Sequence, residues 1–500
     1  MTMVGGVRSA PVYVDGVALW SVEQEPAGFD PLYWVRFLGD TLNMRVYESK
    51  IYDDYYRGEH RLFTGPSGAH VIYRRLLRES RSNWAELIVD AVNERLAVEG
   101  FRFTDGNGEA DLQVWRSIWQ RNGMDARSDE VHVESLIWGY AYCIAWPDAD
   151  GNVEITPEHP TECICYSPPQ DRRKVTMALK RWQDDWGGWN ATLYTPFAIY
   201  KYETPSSGMG SLAPRAGWLP RMVPDEPWPL PNPFKVVPVI EFPNNPRLLT
   251  GGRSELANEH IAIIDRINET VFNRMLAAQF SAFRQKWVSG MEIPRDPETG
   301  APVEPFRAAV DRLWMAESPD VKFGEFSEAT LANYIAAAEA DISHLASITR
   351  TPAYYLLPRG PMPSGEALKA AETGLVAKVK RRQRFFGEAW ELLIRLSLLM
   401  EGDPRSTDTS CETIWAAPEA KSDAQTGDLL IKMAQIGTPA EVLWELSGFF
   451  SPQQIERMKG MQADEALRMQ QLQPTVEPTP AKPPRTGLPE GVPVAGGPTA

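Results

Sequence analysis

Apolar residues recur every three or four positions along several long stretches of the chain. From Ser254 to about Ser281, Leu256, Ile263, Ile264, Ile267, Val271, Met275 and Ala278 follow a helical period. At 1.5 Å per residue this helix spans about 40 Å. Ser327–Thr349 is alanine-rich, free of Gly and Pro, and opens on a Ser that can cap it. Four prolines between Thr351 and Pro363 then forbid helix, because each lacks an N–H and restricts the residue before it. Ser364 restarts helix, and Glu366–Met400 carries it for about 50 Å. Gly374 and Gly387 are its expected interruptions and bends.

The stretch before these helices changes period. Residues 1–28 read as an extended arm. Asp30-Pro31 caps a helix through Leu32, Val35, Phe37, Leu38 and Leu42. Asn83–Val98 predicts an amphipathic helix, with Asn83 as cap and Glu86 at the capping-box position. Two more helices are expected near Asp111–Arg121 and Ser128–Trp138. Residues 139–203 alternate with a period of two. Tyr140–Trp146 and Val153–Thr156 make a hairpin, followed by strands at Glu162–Tyr166, Lys174–Gln183, Asn190–Thr195 and Phe197–Glu203. Residues 205–238 hold nine prolines and read as an irregular connector before a strand at Val236–Phe242.

Between the first two long helices lies an insert, residues 283–326. Phe283–Ile293 and Val321–Phe326 are strand-like, Pro294–Pro305 is a turn-rich loop and Phe306–Met315 is mixed. The arrangement predicts a stalk with a tip. After Met400, Thr438-Pro-Ala-Glu441 and Ser451-Pro-Gln-Gln454 are capping boxes that open helices Pro439–Leu446 and Pro452 to about Leu472. Residues 473–500 hold eight prolines, four glycines and no aromatics, so disorder is expected there. The fold class read from this is a multidomain α+β chain.

Composition narrows the function. No apolar run reaches 18 residues, so no transmembrane helix is expected, and the start of the chain lacks the pattern of a secretory signal. Cys143, Cys163, Cys165 and Cys411 form no CxxC pair, which fits a reducing compartment. The net charge of −15 argues against tight nucleic-acid binding, but not against nucleic acid that must slide past.

Candidate chemistry is sparse. There is no phosphate loop and no G-x-S-x-G elbow, which argues against a P-loop ATPase and an elbow-type hydrolase. His132-x-Glu134 is half of a zinc-deaminase signature without its P-C-x-x-C, and a helix face accounts for it. Cys163-x-Cys165 fits strand filling, and Asp53-Asp54 and Asp184-Asp185 fit solvated turns. No metal or cofactor is expected. Trp182, Trp186 and Trp189 could make a sugar platform for a carbohydrate-active hydrolase, which would need two carboxylates about 5–10 Å apart. Cross-strand packing is the plainer account. Lys378, Lys380, Arg381, Arg382 and Arg384 form the one strong basic run, a candidate DNA or subunit contact. The loop at 352–363 is longer than a helix hairpin needs, and such loops are often functional.

Several stretches, in this order, resemble the portal proteins of tailed bacteriophages. They are Tyr55-Tyr-Arg-Gly-Glu-His60, Ala91-Val-Asn-Glu-Arg-Leu-Ala-Val-Glu-Gly-Phe101, Gly252-Arg-Ser-Glu-Leu256, Arg284-Gln-Lys-Trp-Val-Ser-Gly290 and Pro363-Ser-Gly-Glu-Ala367. The resemblance covers about residues 25–470. It implies a ring, usually of twelve subunits, at one capsid vertex, through which double-stranded DNA is packaged and ejected. On that plan 1–24 is an N-terminal arm, 25–250 the wing, and 251–282 and 327–350 the stem helices. Residues 283–326 are the α/β clip and 351–364 the tunnel loop. A long kinked wing helix and linker fill 365–417, 418–472 is a helical crown, and 473–500 is a tail with no counterpart. Tyr354, Tyr355 and Arg359 would face DNA. The partners implied are the terminase large subunit, the major capsid and scaffold proteins and a head-completion adaptor, with no membrane. The protein would hydrolyse nothing itself. Assembly would take place in the host cytoplasm, and the final location would be the virion.

Overall fold

The computed structural model describes residues 12–14, 17–19, 28–61, 71–103, 110–282, 286–290, 295, 297, 300, 320–325, 330–357, 364–419, 423–450 and 452–472. Within the expected arm, β1 (Val12–Val14) pairs antiparallel with β2 (Val17–Leu19). Asp30 accepts a hydrogen bond from the Leu32 N–H at 2.9 Å and starts α1 (Pro31–Tyr56). That helix runs on through the aromatic stretch at Tyr52–Tyr56. After α2 (Val71–Glu79), Asn83 caps α3 (Trp84–Asn93) by accepting from the Glu86 N–H.

The helix expected over Asn83–Val98 stops at Asn93, and Val98–Arg102 is strand β3. Leu96 N–H turns back to the Asn93 carbonyl at 2.8 Å, and Phe101 is fully buried. The partner strand of β3 comes from Glu412–Trp415, too far along the chain for local periodicity to reveal. Likewise the helix expected near Asp111–Arg121 is one turn, α4 (Leu112–Val114), that widens into a π-helix over Trp115–Gln120. There Trp115 and Trp119 stack at 5.5 Å in the core. Helix α5 (Met124–Trp138) ends at Gly139, whose φ of 88° is a left-handed cap.

The period-two region divides into two sheets. β4 (Tyr140–Pro147) is central, flanked by β5 (Val153–Glu158) and, after a long connection, by a strand at Val239–Pro243. The other sheet is the meander β6 (Cys163–Tyr166), β7 (Met177–Gln183), β8 (Trp189–Tyr194) and β9 (Ala198–Glu203). Two short strands from the proline-rich connector, β10 (Leu219–Pro220) and β11 (Leu230–Pro231), pair with β9, and Val239–Pro243 is β12. The meander buries Leu179, Ala191 and Leu193 against Val35, Leu38 and Leu42 of α1.

Helix α6 (Asn258–Ala282) and helix α7 (Leu331–Thr349) pack antiparallel, tied by Arg266 to Asp341 at 2.6 Å. Between them in sequence, β13 (Lys286–Ser289) pairs with β14 (Lys322–Glu325). The remainder of the expected insert, including Phe306–Met315, lies outside the described residues. A single turn, α8 (Ala353–Leu356), forms after Pro352 in the loop expected to exclude helix. Proline at a helix start sacrifices no intrahelical bond, so Pro352 permits the turn.

Ser364 caps α9 (Gly365–Glu401), which is continuous through Gly374 and Gly387. Neither glycine interrupts it. At Gly387 a Cβ would lie 3.3 Å from the Trp415 indole nitrogen, so close packing accounts for that glycine. Helix α9 is the spine of the main core: Phe386, Trp390, Leu393 and Ile394 meet Trp119, Leu136 and Phe242 there. Past it come β15 (Glu412–Trp415) and α10 (Asp423–Gln435). A second unit, residues 430–500, holds α11 (Ala440–Ser447) and α12 (Pro452–Leu472), close to the two helices expected from the capping boxes. The tail at 473–500 lies outside the described residues. No helix among the described residues is long and apolar enough to cross a membrane.

Candidate nucleic-acid interface

The segment after α7 is held at its base. Arg350 ends α7 in the left-handed region, and Thr349 donates its hydroxyl to the Leu345 carbonyl at 2.7 Å. Tyr354 then donates to Glu372 of α9 at 2.5 Å. Arg95, just past α3, donates to the Tyr355 hydroxyl at 2.8 Å and to Glu372 at 3.2 Å. The two tyrosine rings meet edge to face at 4.8 Å. Burial first, and then the hydrogen bond to Glu372, push the Tyr354 hydroxyl above its ordinary pKa. Both tyrosines are half-buried, so they hold the start of the loop on α9. Arg359 lies outside the described residues.

The basic run of α9 divides by helical phase. Lys378 and Arg382 sit one turn apart on the inner face, each only 7% exposed along the side chain. Both meet Glu255, at 2.6 and 2.7 Å, and Lys378 also donates to the Thr349 carbonyl at 2.7 Å. Burial alone would raise the Glu255 pKa, but the two cations hold it at about 2. Lys378 and Arg382 therefore leave the candidate contact surface: they join α9 to the start of α6 and the end of α7. Lys380, Arg381 and Arg384 are exposed, with Lys380 on Glu419 at 2.5 Å and Arg381 beside the Phe385 ring.

The other candidates are structural. His132 is fully buried, accepts from the Trp390 indole N–H at 3.0 Å and stacks on Phe386. Burial pulls its pKa to about 3. Its sequence neighbour Glu134 turns to His159 instead, at 3.1 Å. Cys163 and Cys165 are enclosed in the sheet, and burial raises both thiols well above their ordinary range. Asp53 and Asp54 pair with Arg57. Asp184 accepts from the Trp186 and Gly188 N–H groups within its turn.

The three tryptophans do not share a platform. Trp182 lies opposite Asn190, whereas Trp189 lies opposite Gln183, so the two indoles project from opposite faces of the meander. Trp186 is 81% exposed in the turn between them. The geometry does not favour a sugar-binding hydrolase.

Glu255, Glu372 and Arg95 are the residues that sequence reasoning missed. Glu255 and Arg95 stand inside the quoted stretches, and Glu372 lies six residues before Lys378 on the same helix, but none carries a local signature. A family model described as "Phage portal protein, SPP1 Gp6-like" matches residues 40–467. The chain belongs to this portal-protein family. Two relatives agree. The portal protein of Mycobacterium phage D29 is 31% identical over 367 residues, covering 70% of this chain and 72% of the relative. That of Mycobacterium phage L5 is also 31% identical over 367 residues, covering 70% and 71%. The portal-family match includes the α6–α9 region, with its helix pair, its loop and the Glu255 cluster.

Proposed function

We propose that this chain is the subunit of a portal ring, of twelve copies as is usual in the family, at one vertex of a phage capsid. Double-stranded DNA enters and leaves through its centre. Residues 251–282 and 327–350 form the stem, 283–326 the clip, 351–364 the tunnel loop and 418–472 the crown. The wing occupies 25–250, and α9 crosses it. The terminase motor, the capsid and scaffold proteins and a head-completion adaptor dock on the ring. The chain itself catalyses nothing, and its place is the virion.

The observation that carries this reading is the α6–α7 pair. Its two helices run antiparallel with the β13–β14 ribbon between them in sequence, as a stem and clip require. Helix α7 also presents an exposed row of small residues, Ala332, Ala336, Ala340, Ser343 and Ser347. Ser343 and Ser347 donate their hydroxyls to their own helix, at 2.8 and 2.9 Å. A surface without cations gains nothing from counterion release, so DNA moves over it without sticking. A closed ring needs heterologous contacts, in which a patch on one subunit meets a different patch on its neighbour.

Electron microscopy of the purified protein, with its mass in solution, tests assembly. Closed rings with a central hole, at many times the 56.1 kDa of one chain, are expected, at the latest once scaffold and capsid proteins are added. Phage lacking the protein yet still filling its capsids with DNA would overturn the reading.

A further inference from the structure

The second unit contains a groove that the portal reading does not use. Trp444 of α11 and Met458, Met461, Asp464, Glu465 and Met469 of α12 are among its lining residues, around about 660 Å³ of open volume. Met461 and Met469 are 62% and 63% exposed. Thioether side chains are polarizable and adapt to irregular partners, and an indole offers a flat apolar face with an N–H edge. The polar rim is mixed: Asp464 and Glu465 stand with Arg468, leaving a net negative charge.

The chain continues for 28 residues beyond α12, starting directly after the helix that forms this groove. That segment contains Pro480-Ala-Lys-Pro-Pro-Arg485, with Lys482 and Arg485 three residues apart. In polyproline II geometry, with three residues per turn, two such cations fall on one face about 9 Å apart. Proline rings stack on aromatic-lined grooves, and this backbone form is set before binding, so little entropy is lost on docking.

We propose that the tail docks on its own chain, with Pro480–Arg485 lying in the groove of α11 and α12. The prolines cover Trp444 and the methionines, and Lys482 and Arg485 meet Asp464 and Glu465. Reach is sufficient. The ten residues from Leu472 to Lys482 span at most about 33–36 Å, and the groove from Met458 to Met469 is only about 17 Å of helix. Tethering holds the tail at an effective concentration on the order of millimolar, so a weak contact persists.

The test uses the full-length chain with a benzophenone amino acid in place of exposed Met461. Light and heavy-isotope chains are mixed before assembly, so that any ring contains both, and are then irradiated. The expected result is a cross-link from position 461 to the peptide holding residues 480–485, light to light and heavy to heavy only. Asp464→Lys with Glu465→Lys should abolish it. Adding Lys482→Glu and Arg485→Glu to that variant should restore it, which a merely unfolded module could not do. Light-to-heavy cross-links appearing beside the light-to-light and heavy-to-heavy ones would assign the groove to the tail of a second copy and overturn the proposal, as would capture of any segment other than the tail.

Discussion

Lys378 Nζ lies 2.6 Å from Glu255 Oε1, and both side chains are almost wholly buried. With Arg382 on the other carboxylate oxygen, two cations of α9 share one anion at the head of α6. Lys378 also caps the last carbonyl of α7. The cluster thus joins three long helices at one point. Desolvating three charges is costly, and the hydrogen bonds offset that cost only while every partner is present.

Removing one partner should therefore be severe. Glu255→Ala leaves two buried cations facing each other, and a loss of about 3–5 kcal/mol is expected. Replacing Glu255, Lys378 and Arg382 together by Leu or Met should cost far less. Chemical denaturation of the single and triple variants measures the difference, and equal losses would sink this account. The pH dependence has a definite sign. The folded pKa of Glu255, about 2, lies below its ordinary 4.5. Its contribution is complete above pH 4.5 and fades as pH falls toward 2. In Glu255→Gln that acid-dependent part should disappear.

His132 acts in a higher window. Its folded pKa of about 3 lies below the ordinary 6.5, so the unfolded chain binds the extra proton first. Stability from keeping it neutral is full above pH 6.5 and falls between there and pH 3. His132→Gln should be less stable at pH 7.5 and show a flatter stability profile between pH 6.5 and 4.5. Thermal melts across that range decide it. A slope unchanged from the parent would refute the assignment.

The tyrosine clamp should control the loop locally. Glu372→Gln weakens the bonds from Tyr354, Tyr355 and Arg95 together. A local cost of about 1–3 kcal/mol is expected, read as faster hydrogen exchange in residues 353–357. Exchange that rises equally throughout α9 would instead indicate general destabilisation. In the assembled particle, substituting Tyr354, Tyr355 and Arg359 together should impair DNA packaging or retention, and unchanged capsid filling would remove their proposed DNA role.

A cation on the small-residue face should retard DNA. Ala336→Lys with Ala340→Lys places two ammonium groups on exposed positions of α7, with little effect on the folded subunit. Slower, more salt-dependent ejection is expected, measured as DNA released over time at two ionic strengths. Rates that match the parent at both would count against the channel assignment of α7.

Gly252 permits a close backbone crossing. A Cβ there would lie 2.2 Å from the Gly139 carbonyl oxygen, and Gly139 itself has a φ of 88° against Arg253. Gly252→Ala should cost at the upper end of about 1–3 kcal/mol, because backbone rather than a movable side chain stands in the way. Soluble yield and melting temperature report it, and a stable Gly252→Ala protein would contradict the crossing.

Much of the helical framework was legible in the chain, because its signals are local. Asp30, Asn83 and Ser364 each accept from the N–H two or three residues on, and neighbours alone decide that bond. The strands of the meander were legible for the same reason, since alternation is a property of adjacent residues. The pairing of β3 with β15, however, joins residues more than three hundred positions apart, and Val98–Arg102 has no helix-breaking residue to announce it except Gly100. Gly374 and Gly387 suggested interruptions, but packing on both sides of α9 outweighs the propensity cost of about 1 kcal/mol per glycine. The basic run is the clearest division between the two levels. Five cations in seven residues are visible in the sequence, and helical phase puts Lys378 and Arg382 on one face. Only the approach of Glu255, from the segment just before α6 and more than a hundred residues away, decides that this face is buried and neutralised while Lys380, Arg381 and Arg384 remain exposed.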